Sequence, residues 1–95
     1  MNIPGGADMQ LAKNVKFREE KFGGVLFETR SEKVFTLNAT AAAVVREIAA
    51  GGDSAEIAAR VAERFSGAAA AIEREVAGFI AELQQRGLVE ESARG

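Results

Sequence analysis

The sequence predicts an α+β fold, a three-stranded antiparallel sheet followed by a three-helix bundle. Three observations predict it. Lys13 to Arg18 alternates between apolar and charged residues, the period of a half-buried strand. Val34-Phe35-Thr36-Leu37 is another β-type run, and Asn38-Ala39-Thr40 follows it, so strand becomes capped helix within one turn. Downstream, apolar residues recur every three or four positions, as on a buried helix face.

Met1 to Gln10 contains Pro4, Gly5 and Gly6 and has no period, which reads as a mobile tail, and the domain boundary falls after residue 11. In the first strand Val15 and Phe17 share one side and Lys16 and Arg18 the other. Glu19-Glu20-Lys21 forms a solvated turn. The pair Gly23-Gly24 marks a bend or a close backbone approach where the second strand starts. Val25-Leu26-Phe27 is continuous rather than alternating, so that strand is expected to be covered on both faces. Thr29 to Glu32 is a hairpin loop without glycine. In the third strand, Lys33 to Leu37, Phe35 and Leu37 share one face and Val34 and Thr36 the other.

Asn38 or Thr40 caps the first helix, Ala39 to Ala50, whose apolar face is Ala41, Val44, Val45 and Ile48. Gly51-Gly52 stops it. Asp53-Ser54-Ala55-Glu56 has the spacing of a capping box and opens the second helix, with Ile57, Val61 and Phe65 on one face. Ser66-Gly67 breaks it. The third helix, Ala69 to Arg86, carries Ile72, Val76, Phe79, Ile80 and Leu83, and Gly87 ends it. Leu88-Val89 is a last extended piece, and residues 91–95 read as a C-terminal tail. Consecutive short strands with tight turns favour an antiparallel meander. Three amphipathic helices need a shared core against that sheet. The result is a winged-helix-like arrangement over residues 12–90.

At 95 residues this is one small domain. Much of its hydrophobic content is Ala, so the core is expected to rest on the six Phe with the Val, Ile and Leu positions. No Cys and no His are present, which removes thiolate chemistry, the commonest general base and the commonest transition-metal ligand. Ser31, Ser54, Ser66 and Ser92 lack a His to activate them. The paired carboxylates Glu19-Glu20, Glu73 with Glu75, and Glu90-Glu91 read as solvated charges. No catalytic residue, metal or cofactor is expected. The net charge of −2 gives no basic face for nucleic acid, and Arg60, Arg64 and Arg74 are each offset by nearby Glu. Glu56 with Arg60 and Glu82 with Arg86 have the spacing of intrahelical pairs. Neither a signal peptide nor a membrane span is predicted, so the expected location is the cytoplasm.

What remains is an edge. In a three-strand meander the first and third strands are edges, and in the third Val34-Phe35-Thr36-Leu37 has neither proline nor an interior charge to blunt it. The residues leave two readings open. Either Val34 is covered inside the domain and the third helix's stripe is all core, or strand and helix form a groove that accepts an added peptide strand.

Phe22-Gly23-Gly24-Val25-Leu26-Phe27, then Val34 through Ala42, then Gly52, Ile57-Ala58, Phe65, Val76, Phe79-Ile80, Leu83 and Gly87-Leu88-Val89 resemble the PqqD-like family. These are the recognition elements, or peptide chaperones, of systems that modify ribosomally made peptides such as the precursor of coenzyme PQQ. The resemblance runs from Asn14 to Glu90. The strand-to-cap junction Leu37-Asn38-Ala39-Thr40 and the closing Gly87-Leu88 are its most telling parts. It implies the winged-helix-like fold and no enzymatic activity. It also implies binding of a precursor's leader segment as an extra strand on the third strand, against the third helix. The peptide is then presented to a modifying enzyme, often a radical SAM protein. Carried onto this chain, the peptide-binding residues are Lys33, Val34, Phe35, Thr36 and Leu37 with Ile72, Glu75, Val76 and Phe79. One departure is Val44-Val45, where family members often have an aromatic residue; this is expected to alter core packing and not the edge. The alternatives are a winged-helix nucleic-acid-binding regulator and a structural subunit whose open edge pairs with its own copy. The expected state is a monomer or weak homodimer.

Overall fold

The computed structural model describes residues 8–65 and 67–92. The strands are β1 (Asp8–Leu11), β2 (Val15–Glu20), β3 (Gly23–Glu28), β4 (Lys33–Leu37) and β5 (Val89–Ser92), and the helices, between β4 and β5, are α1 (Ala39–Ala50), α2 (Ser54–Arg64) and α3 (Ala69–Gln85). β2, β3 and β4 form an antiparallel meander, and β1 pairs with β5 in a second, two-stranded sheet.

That second sheet corrects the N-terminal expectation. Residues 1–7 of the expected tail lie outside the described residues, but Asp8 to Leu11 is strand, with Met9 buried in the core. Glu91 and Ser92, expected in the C-terminal tail, belong to β5. The pairing escaped a local reading because its two partners lie some eighty residues apart, Met9 opposite Glu91 and Leu11 opposite Val89. Further bonds fix β1 in place, from the Met9 amide to the Gly52 carbonyl and from the Ala12 amide to the Leu88 carbonyl, both 2.9 Å.

The helix ends follow their sequence signals. The Asn38 side chain accepts from the Ala41 amide at 2.8 Å and so caps α1. Both halves of the Asp53–Glu56 capping box are present. That engagement draws Glu56 away from Arg60, so the expected intrahelical pair does not form. Arg60 instead reaches α1, donating to the Glu47 carboxylate at 2.7 Å and to the Gly51 carbonyl at 2.5 Å. Arg64 meets the other Glu47 oxygen at 3.2 Å. Glu47 is the one buried charged residue among those described, and two cations and a helix end organise around it. The Glu82–Arg86 pair does form, at 3.1 Å.

The core is aliphatic. Leu26, Val45, Ile57 and Val61 have no exposed surface, and Ile48, Ile80, Leu88 and Val44 are nearly as deep. None of the six Phe is fully buried, contrary to expectation. Phe17, Phe35, Phe65 and Phe79 pack on the core's rim, while Phe22 and Phe27 are exposed. The alanines explain this. Ala42, Ala43, Ala58 and Ala62 are buried, so small side chains take core positions on α1 and α2 that rings would otherwise fill. β3 is also not covered on both faces. Leu26 points into the core, but Phe27 is 37% exposed on the outer face, beside Val34 at 58%.

Candidate functional site: an open strand edge beside α3

The bonding direction along β4 follows from one hydrogen bond at the far side of the sheet. The Thr29 amide donates to the Asn14 carbonyl at 2.8 Å. In the same register Lys16 faces Phe27, and Arg18 faces Val25. Bonded and non-bonded pairs alternate in an antiparallel ladder, with a residue's N–H and C=O on the same side. Val25 and Phe27 therefore bond toward β2, and Gly24, Leu26 and Glu28 toward β4. Their partners there are Leu37, Phe35 and Lys33. The N–H and C=O groups of Val34 and Thr36 are thus directed away from β3. No strand lies there among the described residues, since β4 ends the sheet.

Beside this edge runs a groove walled by α3. At the Lys33 end its lining includes Lys33, Phe35, Arg86, Gly87 and Leu88, around a hollow of about 260 Å³. The middle hollow, about 200 Å³, is lined by Phe35, Leu37, Phe79, Glu82, Leu83 and Arg86 among others. At the Asn38 end a hollow of about 240 Å³ lies among Asn38, Thr40, Ala41, Val44, Glu75, Val76 and Phe79. Shared linings make these one channel: Phe35 and Arg86 belong to the first two, Phe79 to the last two. α3 runs opposite to β4. A helix rises about 16 Å from Glu75 to Arg86, and a strand rises about 16 Å from Lys33 to Asn38, so the two walls match in length.

The side chains named from the sequence fall in different places. Phe35 and Phe79 are half-buried in the channel, Leu37 and Val76 form its buried floor, and Glu75 and Lys33 stand exposed at its two ends. Val34 and Thr36 offer backbone to the edge, and their side chains belong to the sheet's outer face. Ile72 does not line these hollows; it packs on the core one turn earlier, beside Gly67. Sequence reasoning missed Glu82 and Arg86. Glu75, Phe79, Glu82 and Arg86 are spaced four, three and four residues apart, which sets them on one face of a helix but does not say which turns stand beside β4. It also missed Val44, whose small side chain borders the hollow next to Phe79, so the departure at this position reaches the channel after all.

Electrostatics within the channel are mostly settled internally. Arg86 pairs with Glu82, and its guanidinium carbon lies 5.8 Å from the centroid of the Phe35 ring. Glu28 accepts from the Ser31 amide and hydroxyl at 2.6 and 2.7 Å. The Ser31 amide first, and then its hydroxyl, hold that carboxyl below its ordinary pKa. Among the described residues no His, Cys, Asp and Glu cluster could hold a metal ion. No described helix is long and apolar enough to cross a membrane.

A three-stranded meander whose β4 edge stands open, set against the last of three helices, defines a winged-helix-like domain with an open strand–helix groove. The chain belongs to the PqqD family: the family model for coenzyme PQQ synthesis protein D (PqqD) matches residues 23–89. Among solved structures it is similar to a lasso peptide synthetase B1 complexed with the leader peptide, at 24% identity over 86% of this chain and 96% of that one, TM-score 0.74. It is also similar to TbiB1 in complex with the TbiA(beta) leader peptide, at 19% identity over 90% and 99%, TM-score 0.72. A third is the PqqD truncation of Methylobacterium extorquens PqqCD, described as a functional, stand-alone recognition element for ribosomally synthesised and post-translationally modified peptides. There the identity is 22% over 95% and 96%, TM-score 0.70. No curated protein sequence is significantly similar to the chain.

Proposed function

We propose that the chain is a non-catalytic binding protein that recognises the leader segment of a ribosomally synthesised precursor peptide and presents it to a modifying enzyme. The leader adds as a strand to β4 against α3. The enzyme is a radical SAM protein, and the complex works in the cytoplasm. The observation that carries this reading is the free edge at Val34 and Thr36, placed beside a channel of matching length. Two of the similar structures hold leader peptides, which supports the same use of this fold.

The mechanism needs no reactive side chain. A flexible leader gains main-chain hydrogen bonds from Val34 and Thr36 and buries apolar side chains against Phe35, Phe79 and Leu83. It loses conformational entropy on ordering, which holds affinity down and keeps release possible. Once the leader is held, the attached core peptide stays near the enzyme at a raised effective concentration.

The test is an amide NMR titration of the labelled protein with synthetic peptides from short reading frames beside its gene. Shifts concentrated at Lys33 to Leu37 and at Glu75 to Arg86 are expected for one of them. Shifts only with duplex DNA, or only on dilution, would overturn the reading in favour of a regulator or a self-pairing subunit.

A further inference from the structure

Phe35 and Leu37 turn one side of β4 toward α3, so a strand added there has its inward side covered and its outer side free. The outer face of the meander is built from alternate residues of its strands. The register sets two rows across it, Lys16 with Phe27 and Val34, and Arg18 with Val25 and Thr36. Phe22, Phe27 and Val34 are the exposed large apolar side chains among the described residues, and two of these three are neighbours in the first row. Around them lies a hollow of about 470 Å³, lined by Lys16, Arg18, Val25, Phe27 and Val34. An apolar patch of this kind on a small domain marks a contact surface.

The charge on this face selects its partner. Glu20 is the carboxylate among the outer-facing residues of the three strands, and Arg18 bonds it at 2.8 Å, so those two charges cancel. Lys16 is exposed and has no ion pair among the described residues. One cation is left over beside the apolar row, on a chain whose net charge is −2. A second copy meeting this face with its own would add cation to cation and leave Lys16 unanswered. A surface with apolar side chains and a carboxylate answers it. Val34 ends its row at the edge where the leader adds, and every second side chain of an added strand lies on the outer face, whichever way that strand runs. Resting on the strand-addition reading, we infer that the outer face of β2, β3 and β4 is where the modifying enzyme docks, setting apolar side chains on Phe27 and Val34 and a carboxylate beside Lys16. The enzyme then touches the domain and the leader's outward side chains together. The five lining residues fall well short of the roughly 20–30 a side of a stable interface. The leader enlarges the patch, so the enzyme binds the loaded domain more tightly than the empty one, and by linkage the leader binds more tightly when the enzyme is present.

The experiment measures binding of the purified radical SAM protein encoded beside the gene to the fluorescently labelled domain, with and without the peptide that shifts β4 in the NMR titration. Phe27→Ser should weaken enzyme binding about tenfold, as loss of an aromatic anchor does. Lys16→Glu should weaken it several-fold, and that difference should shrink at about 0.5 M salt. Val34→Ser, at the more exposed neighbour, serves as a second apolar variant should Phe27→Ser lose its native circular dichroism. Leader shifts at Lys33 to Leu37 and Glu75 to Arg86 should persist in each. Glu63→Lys, an exposed change of equal charge on α2, should leave enzyme binding as it was. Enzyme binding that is absent, or untouched by the outer-face variants, with leader shifts intact, would overturn the docking face and leave strand addition standing. A domain that sediments as a dimer and becomes monomeric on Phe27→Ser would give the face to a second copy and overturn the inference. Absence of leader shifts at β4 would overturn the reading on which it rests.

Discussion

The Arg86 guanidinium lies over the Phe35 ring, 5.8 Å from its centroid, and bonds the Glu82 carboxylate at 3.1 Å. This joins the last turn of α3 to the middle of β4 across the channel. It also sets the spacing between the two walls, without closing the space between them.

Arg86→Ala should therefore leave the fold in place and loosen one wall. A cation over a ring at an exposed site contributes about 0.5–1 kcal/mol, and the Glu82 pair adds little in water. A stability loss of about 1 kcal/mol or less by denaturant titration is expected. Peptide affinity should fall several-fold. A variant that unfolds would show that the contact supports the core instead.

Proline substitutions should separate the two sides of β4. Thr36→Pro removes an amide directed at the free edge, so helical circular dichroism should survive while peptide binding is lost. Phe35→Pro removes an amide bonded toward Leu26 and should destabilise the fold by about 3 kcal/mol or more, by analogy with proline's cost in a helix interior. Equal effects from the two would contradict the bonding direction derived from the Asn14–Thr29 bond.

Met9→Ala should cost about 2–4 kcal/mol, the usual range for truncating a buried Met. A tail residue would cost nothing measurable. The denaturation midpoint decides between a working β1 and an ornamental one.

Two glycines should respond differently to alanine. A Cβ on Gly23 would sit 2.2 Å from the Leu37 carbonyl oxygen and 2.5 Å from the Asn38 carbonyl carbon, with φ at +148°. Both contacts are backbone, at the junction where β4 turns into α1, so nothing flexible can yield. Gly23→Ala should lose about 2–4 kcal/mol from overpacking and strain together. Gly51, with φ at +104° and ψ at 165° but open space around it, meets no clash and should lose about 1–3 kcal/mol from backbone strain alone. Thermal unfolding of the two variants checks the difference.

How much of this was legible beforehand depends on the range of the interaction that decides it. The meander, the three helices, the Asn38 cap and the Asp53–Glu56 box are local in sequence, and the sequence pattern carried them. β1 was hidden because Met9 and Leu11 gain their meaning from Glu91 and Val89. The aromatic core was misread because size was weighed without the core positions that Ala42 and Ala58 occupy. Within the channel, Lys33 to Leu37 could be named from the edge argument. Arg86 could not be chosen over Ile72 until the opposed run of α3 and β4 was known, since that alone decides which turn of the helix stands beside which residue of the strand.

The β1–β5 ribbon sets Asp8 directly across from Ser92. Opposed residues in such a ribbon stand about 5 Å apart, so the domain hangs from the rest of any polypeptide by a single doorway. A module of that shape can be spliced into a surface loop of an unrelated host with little stretching of the host backbone. The ribbon can equally be sealed by a short peptide and the chain reopened at Gly51, giving a permuted protein with an unchanged β4 edge.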